Sequence, residues 1–451
     1  MRKTLRCAQG DHATNSMPIS LTGPAATDEI IMKIMISTFG THGDVQPFLA
    51  LGQGLHTAGH TVAVCTSASY RPTIEALGLT YAPMSNTLLD LTQALLRGGA
   101  EAYGALPQIF PAMRAMLEEE WQAAQSFAPD LLVYHPKMLG SYHLAEKLGI
   151  SLAMALPLPF YTPTRAFPNP FLAWLRLGGW ANWASFRLMG LTSAMYRGMT
   201  NRFRTATLGL PPLRSFANLL VTRAGHPIPV LYPYSPHLLP VPADFPPHVH
   251  VTGTWFLEPT TPWVPPAPLA TFLEAGPPPV YVGFGSMGGY GGLRRAVIVL
   301  EALKLAGQRG VLARGWGGLV PATLPETVFA LDEAPHDWLF PQTAAVVHHG
   351  GSGTTAAGLR AGRPTIICPY VADQPFWGRV VAERGLGPPP IPQHRFTAER
   401  LAAAIRVAVS DQGMRERAAA LGVQIRAEDG VGPAVALLER EQARHRASQR
   451  A

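Results

Sequence analysis

At 451 residues the chain is longer than a single hydrophobic core usually grows, so two domains of roughly 200 residues each are expected. Hydrophobic residues make up 47% and charged residues only 14%, which excludes a disordered chain and leaves room for an apolar ligand surface. The net charge of +7 suits an anionic partner, and with no RNA- or DNA-binding motif beside it the expected anion is a diphosphate or a membrane surface, not nucleic acid.

Residues 1–30 carry Arg2 and Lys3 but no apolar core of a signal peptide, and read as a disordered tail. An apolar strand is expected over 31–37, a helix over 45–58 and a β-rich strand over 61–66, with further strands at 130–134 and 151–156. This alternation points to a parallel sheet covered by helices on both faces. The stretch 171–191 reads as one amphipathic helix, with Arg176 and Arg187 three turns apart on one face and Phe171, Trp174, Leu175, Trp183 and Phe186 on another. No uninterrupted apolar run reaches the roughly 18 residues that a membrane span needs. Prolines crowd 241–279, which marks a linker without regular helix or central strand. The domains are thus expected at 31–240 and 280–428, the latter opening with a strand and glycine turn at 279–285. A helix over 293–307 and strands at 310–314 and 328–331 follow, and a helical, basic-ended segment closes the chain at 429–451. Cys7, Cys65 and Cys368 suggest no disulfide framework and fit a reducing, cytoplasmic compartment.

The most informative passage is 338–392. A buried strand (344–349), a tight turn Gly350-Gly351-Ser352-Gly353-Thr354-Thr355 and a small-residue helix (356–361) follow one another. A helix start offers unpaired N–H groups and partial positive charge, and glycines let an anion approach the backbone. His349 and the two threonine hydroxyls add donors. A second strand (365–368) leads to Asp373-Gln374, an acid and an amide suited to vicinal hydroxyls. Diphosphate first and sugar next is the layout of a sugar-nucleotide site.

The run His348-His349-Gly350-Gly351-Ser352-Gly353-Thr354-Thr355, with Asp373-Gln374-Pro375-Phe376-Trp377-Gly378 and Gly385-Leu386-Gly387-Pro388-Pro389-Pro390-Ile391-Pro392, closely resembles the donor signature of sterol 3β-glucosyltransferases. These belong to the GT-B glycosyltransferases, alongside plant UDP-glucosyltransferases and glycopeptide-antibiotic glycosyltransferases. Ser37-Thr38-Phe39-Gly40-Thr41-His42-Gly43-Asp44-Val45-Gln46-Pro47-Phe48 is similar to the family's first strand and loop. The segments 161–168, 234–238, 282–286 and 315–319 extend the likeness over most of the chain from Met32. The resemblance implies an α/β GT-B fold: two doubly wound Rossmann-like domains facing an interdomain cleft, with a C-terminal helix that crosses back to the first domain.

It also implies roles. Asp44 matches the position of the proposed base, where plant small-molecule enzymes have histidine. An aspartate just before Val45-Gln46-Pro47 also reads as a helix N-cap. His42 stands where many relatives carry arginine and is a second catalytic candidate, to orient the acceptor or pair with Asp44. Donor binding falls to Gly43, Ser286, Trp316, Trp338, Gln342, His349, Gly351, Ser352, Gly353, Thr354, Asp373 and Gln374, with Trp338 stacked on the uracil. Plant relatives place a ribose-gripping glutamate where this chain has Ala357. Acceptor binding is expected at Phe160, Phe167, Trp174, Trp183 and Phe186. No Asp-x-Asp motif flanks the glycine turn, so neither metal nor other cofactor is expected. The partners implied are a UDP-hexose, most simply UDP-glucose, and an apolar hydroxylated acceptor such as a sterol. Peripheral membrane contact and a monomeric state complete the expectation.

Four other readings compete. The nearest is a glycosyltransferase of a polyketide, carotenoid or other natural-product aglycone, which an apolar pocket would suit equally. Gly351 to Ala356 fits a G-x-G-x-x-A dinucleotide fingerprint, but the acid that motif requires is missing at the end of the next strand. A sugar-nucleotide epimerase of the same fold would not need the apolar 157–191 region. An inactive lipid-binding module would bind sterol without consuming donor.

Overall fold

The computed structural model describes residues 31–97, 99–175, 177–187, 194–214, 217–259, 262–285, 292–314 and 324–450. Seven parallel strands form a first sheet: β1 (Lys33–Ser37), β2 (Thr61–Ser67), β3 (Thr80–Met84), β4 (Leu131–Tyr134), β5 (Ser151–Ala155), β6 (Val230–Tyr232) and β7 (Val249–Val251). Five more form a second: β8 (Val280–Gly283), β9 (Gly310–Ala313), β10 (Val328–Leu331), β11 (Ala345–His348) and β12 (Thr365–Ile367). The inner strands are apolar without alternation, as in Ile34-Met35-Ile36 and Ala345-Val346-Val347, because both faces of a parallel sheet are covered.

The orders are β3-β2-β1-β4-β5-β6-β7 and β10-β9-β8-β11-β12. In each, the chain builds outward on one side and then returns to the far side of the first strand. The reversals lie between β1 and β4 and between β8 and β11, where connections diverge and a crevice opens beyond the carboxyl ends of the strands.

The proline-rich segment 241–279 is more structured than its composition suggests. It contributes β7, an edge strand paired with β6, and the helix Ala267–Glu274, with Pro268 in its first turn. β7 itself is free of proline, and Pro268 sits in the first helical turn, which has no intrahelical donor to lose. The first domain therefore extends to Val251.

Two helices depart from the pattern-based bounds. The helix α1 (His42–Thr57) starts three residues before the apolar periodicity begins, with Thr41 as its N-cap. Asp44 is thus the third helical residue, not the cap. The expected continuous helix over 171–191 is broken: a 3-10 turn (Pro170–Leu172) precedes a short helix α2 (Gly179–Ser185), with extended backbone at Gly178 between them. The Gly178-Gly179 pair makes that break inexpensive to form, since glycine disfavours helix interiors. Arg176 lies outside the described residues.

In the second domain, α3 (Ser352–Arg360) follows β11 and α4 (Gln374–Glu383) follows β12. The closing helix α5 (Val431–Arg450) lies on the first domain. Its Ala434, Val435, Leu437 and Leu438 join the core formed with β1 and α1, Glu439 meets His60 at 3.1 Å, and Gln449 donates to the Gly149 carbonyl at 2.9 Å. The domains also share a packed seam. Phe376 and Trp377 of α4 are buried in the first domain's core, in edge contact with Phe167 (5.4 Å) and Tyr234 (6.2 Å).

Candidate active site

The first half of the site is the loop after β1. Its helix start places the Asp44 carboxylate back over the loop, where Oδ2 accepts the Thr41 N–H at 3.0 Å. Gly40 makes this possible: it has φ of +141°, and any Cβ there would run into that carboxylate. Across the switch point, the loop after β4 supplies Lys137, whose Nζ donates to Asp44 Oδ1 at 2.6 Å, and His135, whose Nε2 lies 3.9 Å away. Burial pushes the Asp44 carboxyl up, but the Lys137 charge and the hydrogen bonds from Lys137 and the Thr41 N–H outweigh it and hold the group below the ordinary aspartate range. His135 is itself pushed down to about 3 by burial and by Lys137, so at neutral pH it carries no charge and Lys137 is the effective counter-ion.

His42 is exposed and rests edge-on against Tyr70, with ring centroids 5.6 Å apart. The pairing with Asp44 that the sequence allows it is made by Lys137 instead. Gly43 is exposed at the loop tip, with open space where a side chain would stand.

The second half of the site lies at the carboxyl end of β11. Gly350, at φ of +98°, turns the chain where a Cβ would lie 2.6 Å from Ile367 Cγ2. The buried His348 Nδ1 accepts the Gly350 N–H at 3.0 Å, which fixes that ring as the neutral tautomer with its proton on Nε2. Gly351 caps α3, and the first bond of the helix runs from the Thr355 N–H to the Gly351 carbonyl at 2.9 Å. The N–H groups of Ser352, Gly353 and Thr354 therefore stand ahead of the helical ladder, aligned with the positive end of the dipole.

The His349 ring leans over this helix start: a Cβ on Gly351 would lie 2.7 Å from its Nε2, and one on Gly285 3.6 Å from its Cε1. Burial pushes His349 down to about 4, so it faces the turn as a neutral hydrogen-bonding group, and its Nδ1 is buried without a partner. Of the two threonine hydroxyls expected as donors, Thr354 is half-buried, but Thr355 is buried and its hydroxyl donates to the Gly351 carbonyl at 2.9 Å. Residue 355 thus serves the helix.

The loop after β12 presents Asp373. The preceding residue, Ala372, adopts φ of +59°, a conformation rare for residues with a side chain, and Gln374 Oε1 ties the loop by accepting the N–H groups of Tyr370 (2.7 Å) and Val371 (3.1 Å). Gln374 is buried with its carbonyl committed to the backbone. Asp373 is half-buried, and its carboxyl is pushed up to about 6 by burial, with the Asp44 charge adding and the Lys137 charge subtracting. Asp44, in the first turn after β1, and Asp373, the N-cap of α4 after β12, thus come one from each domain. Burial takes His336 to about 4.

Trp338 is half-buried, edge-on to Trp263 at 4.8 Å, and its carbonyl accepts the Gln342 Nε2 donor at 3.0 Å. Ser286 and Trp316 lie outside the described residues. Of the expected acceptor residues, Phe167 and Phe186 are buried against the Phe376 seam, Phe160 and Trp183 are half-buried, and Trp174 is 67% exposed. Among the described residues no cluster of three or more His, Cys, Asp or Glu is suited to a metal, and no helix is long and apolar enough to cross a membrane.

Lys137 and His135 escaped the sequence reading. The signal was present: they follow the strand next to β1, and residues after the two central strands of a doubly wound sheet converge at the switch point.

Comparison with known proteins agrees with this geometry. The N-terminal domain of glycosyltransferase family 28 matches residues 34–168, and the C-terminal domain of erythromycin biosynthesis protein CIII-like proteins matches 318–434. A sterol 3-beta-glucosyltransferase of Arabidopsis thaliana is 38% identical over 418 residues, covering 90% of this chain and 67% of that protein. A second from the same plant is 36% identical over 421 residues, and one from Emericella nidulans 35% over 432. This chain spans 64% and 30% of their respective lengths. Among solved structures, the glycotransferase of kitacinnamycin superposes with a TM-score of 0.67 at 20% identity, over 91% of this chain and 99% of that one. The glycosyltransferase VinC, in complex with dTDP, gives 0.62 at 21%, over 92% and 100%. These two likenesses establish the GT-B fold. Taken with the identity across both domains, they place the chain in the sterol 3β-glucosyltransferase-like branch of the UDP-glycosyltransferase family.

Proposed function

We propose that this protein transfers a hexose, most simply glucose, from a UDP-sugar to the hydroxyl of an apolar, sterol-type acceptor with inversion at the anomeric carbon. The observation that carries the reading is the pair of groups at the two sheet switch points: the Asp44 carboxylate held by Lys137 at 2.6 Å after β1, and the N–H groups ahead of the helical ladder at the start of α3 after β11. A single displacement uses both. The acceptor O–H gives its proton to the Asp44 carboxylate, the oxygen bonds to C1 of the hexose, and the bond from C1 to the diphosphate oxygen breaks on the opposite face. The departing diphosphate gains its charge against the N–H groups of 352–354 and His349, donors already in place before the reaction.

Asp373 would bind hexose hydroxyls, and the exposed face of Trp338 would take the uracil. His42, on the rim beside Asp44, would meet the acceptor. A cradle of backbone N–H groups needs no metal bridge, so turnover is expected to survive a chelator. Exposed Trp174 and Trp180, with Arg165 over the Trp180 ring at 4.6 Å, would place a cytoplasmic enzyme at a membrane surface holding its acceptor.

The test is incubation of purified protein with UDP- and TDP-sugars against 3β-hydroxysterols and a polyketide aglycone, with products read by mass. Glucosylated sterol from UDP-glucose supports the proposal. Efficient glycosylation of the polyketide with every sterol ignored overturns the acceptor assignment, and an epimerised donor without transfer overturns the reaction.

A further inference from the structure

From the contacts around Asp44 we infer that Lys137 is a positioning residue for this reaction: reaching from the loop after β4, its ammonium holds the Asp44 carboxylate through a direct ion pair that leaves lone pairs open to the acceptor hydroxyl. The inference rests on the assignment of Asp44 as base and adds a residue that neither the sequence motifs nor the family signature singles out.

A carboxylate has about four lone-pair sites, and two at Asp44 are occupied: Lys137 Nζ at 2.6 Å on Oδ1 and the Thr41 N–H at 3.0 Å on Oδ2. One site on each oxygen remains for an incoming hydroxyl. Without Lys137, burial would favour the protonated acid, which cannot accept a proton. Among the described residues, Thr41, Gly40 and the exposed His42 lie on its own loop and first helical turn, Tyr70 against Gly40, His135 and Lys137 on the loop after β4, and Asp373 on the loop after β12. Tyr70 is pushed up to about 12, by burial and then by Asp44, and His135 is neutral above about 3. Lys137 Nζ is the cation in direct contact with the carboxylate.

Lys137 is half-exposed, with 47% of its side chain accessible, so its removal leaves the core intact. It takes no part in the proton balance: the acceptor proton ends on Asp44, and Lys137 keeps its own.

The test compares Lys137→Met and Lys137→Arg in the full chain, both checked for native circular dichroism. The Asp44 carboxyl is titrated by 13C NMR, with its signal assigned by loss in Asp44→Asn. In K137M the titration is expected to move to higher pH, and in K137R to return towards the wild-type value. The acidic limb of kcat/KM should follow in the same direction. At pH 6 the K137M rate is expected to fall by about tenfold, a fraction of the roughly 10²–10⁴ that an acid–base group contributes, with the Kd for UDP unchanged. An Asp44 titration identical in wild type and K137M overturns the inference, whatever the activity. A shifted titration in a protein whose Asp44→Asn variant turns over normally upholds the pair and overturns the base assignment, so the two failures are separable.

Discussion

The two halves of the cleft meet charge in opposite ways. On the first domain an aspartate is kept ionised by a lysine at 2.6 Å, a direct ion pair between side chains from two loops. On the second domain the start of α3 offers three backbone N–H groups ahead of the helical ladder, and burial keeps the adjacent His348 and His349 neutral. Under the proposed function the difference follows from what each half would do. A base must be charged before the substrate arrives and lose that charge in the reaction, so it needs a nearby counter-ion. A cradle for a diphosphate must welcome charge that arrives with the ligand, and fixed dipoles do so without a buried cation to desolvate when the site is empty.

This contrast is broken most severely by Asp44→Asn. Turnover is expected to fall by about 10²–10⁴ while calorimetry shows UDP binding nearly unchanged, because the residue belongs to the acceptor side. A variant with full kcat would leave Asp44 as nothing more than the first-turn partner of the Thr41 N–H. Next in size are His349→Ala and Thr354→Val, which act on the other half. Each should weaken UDP binding by about 1.5–3 kcal/mol, the usual worth of a hydrogen bond to a charged group, without changing acceptor KM. Unchanged UDP affinity in both would refute the phosphate assignment.

The neutral histidines also predict how stability depends on pH. His135, His143, His336 and His349 are depressed to about 3, 3, 4 and 4, and His348 lies well below 6.5. Unfolded, each takes its proton near 6.5; folded, it does not until far lower pH, so stability falls as pH drops from about 6.5 towards 4. Glu120 and Asp373, raised to about 7 and about 6, work in the opposite direction, since the folded state binds their protons first. His248 and His250 are lowered too, so among the described residues seven depressed histidines stand against these two carboxyls and make the net slope destabilising on acidification. The urea midpoint measured across this window should decrease, and a flat or rising midpoint would contradict the picture of buried neutral rings. The smallest effect is expected at the rim: Trp174→Ser should reduce binding to anionic vesicles without altering UDP affinity, as a vesicle sedimentation series can check.

Much of this was legible in the sequence. The strands announce themselves as short apolar runs, and the glycine turn after Val346-Val347-His348-His349 declares an anion site because few other functions require that residue order. What stayed hidden depends on contacts distant in the chain. Nothing in His135-Pro136-Lys137 marks it as functional until β4 is laid beside β1. Gln374 reads as a sugar ligand, and nothing local reveals that its carbonyl also holds the Tyr370 and Val371 N–H groups. The helix expected over 171–191 failed on a local signal that apolar periodicity outweighed, the Gly178-Gly179 pair. The proline-rich segment misled because proline's exclusion is positional: the three residues of β7 lie between prolines, and Pro268 falls in a first helical turn that accepts it.

The central claim is direct, inverting transfer between the two halves of the cleft. Its most direct measurement is the anomeric configuration of the product formed from UDP-glucose and a 3β-hydroxysterol, read from the coupling of the anomeric proton by NMR. The account predicts a β-glucoside, the large coupling of a single displacement on an α-linked donor. An α-glucoside would contradict it, because retention requires a different mechanism from displacement by an acceptor deprotonated at Asp44.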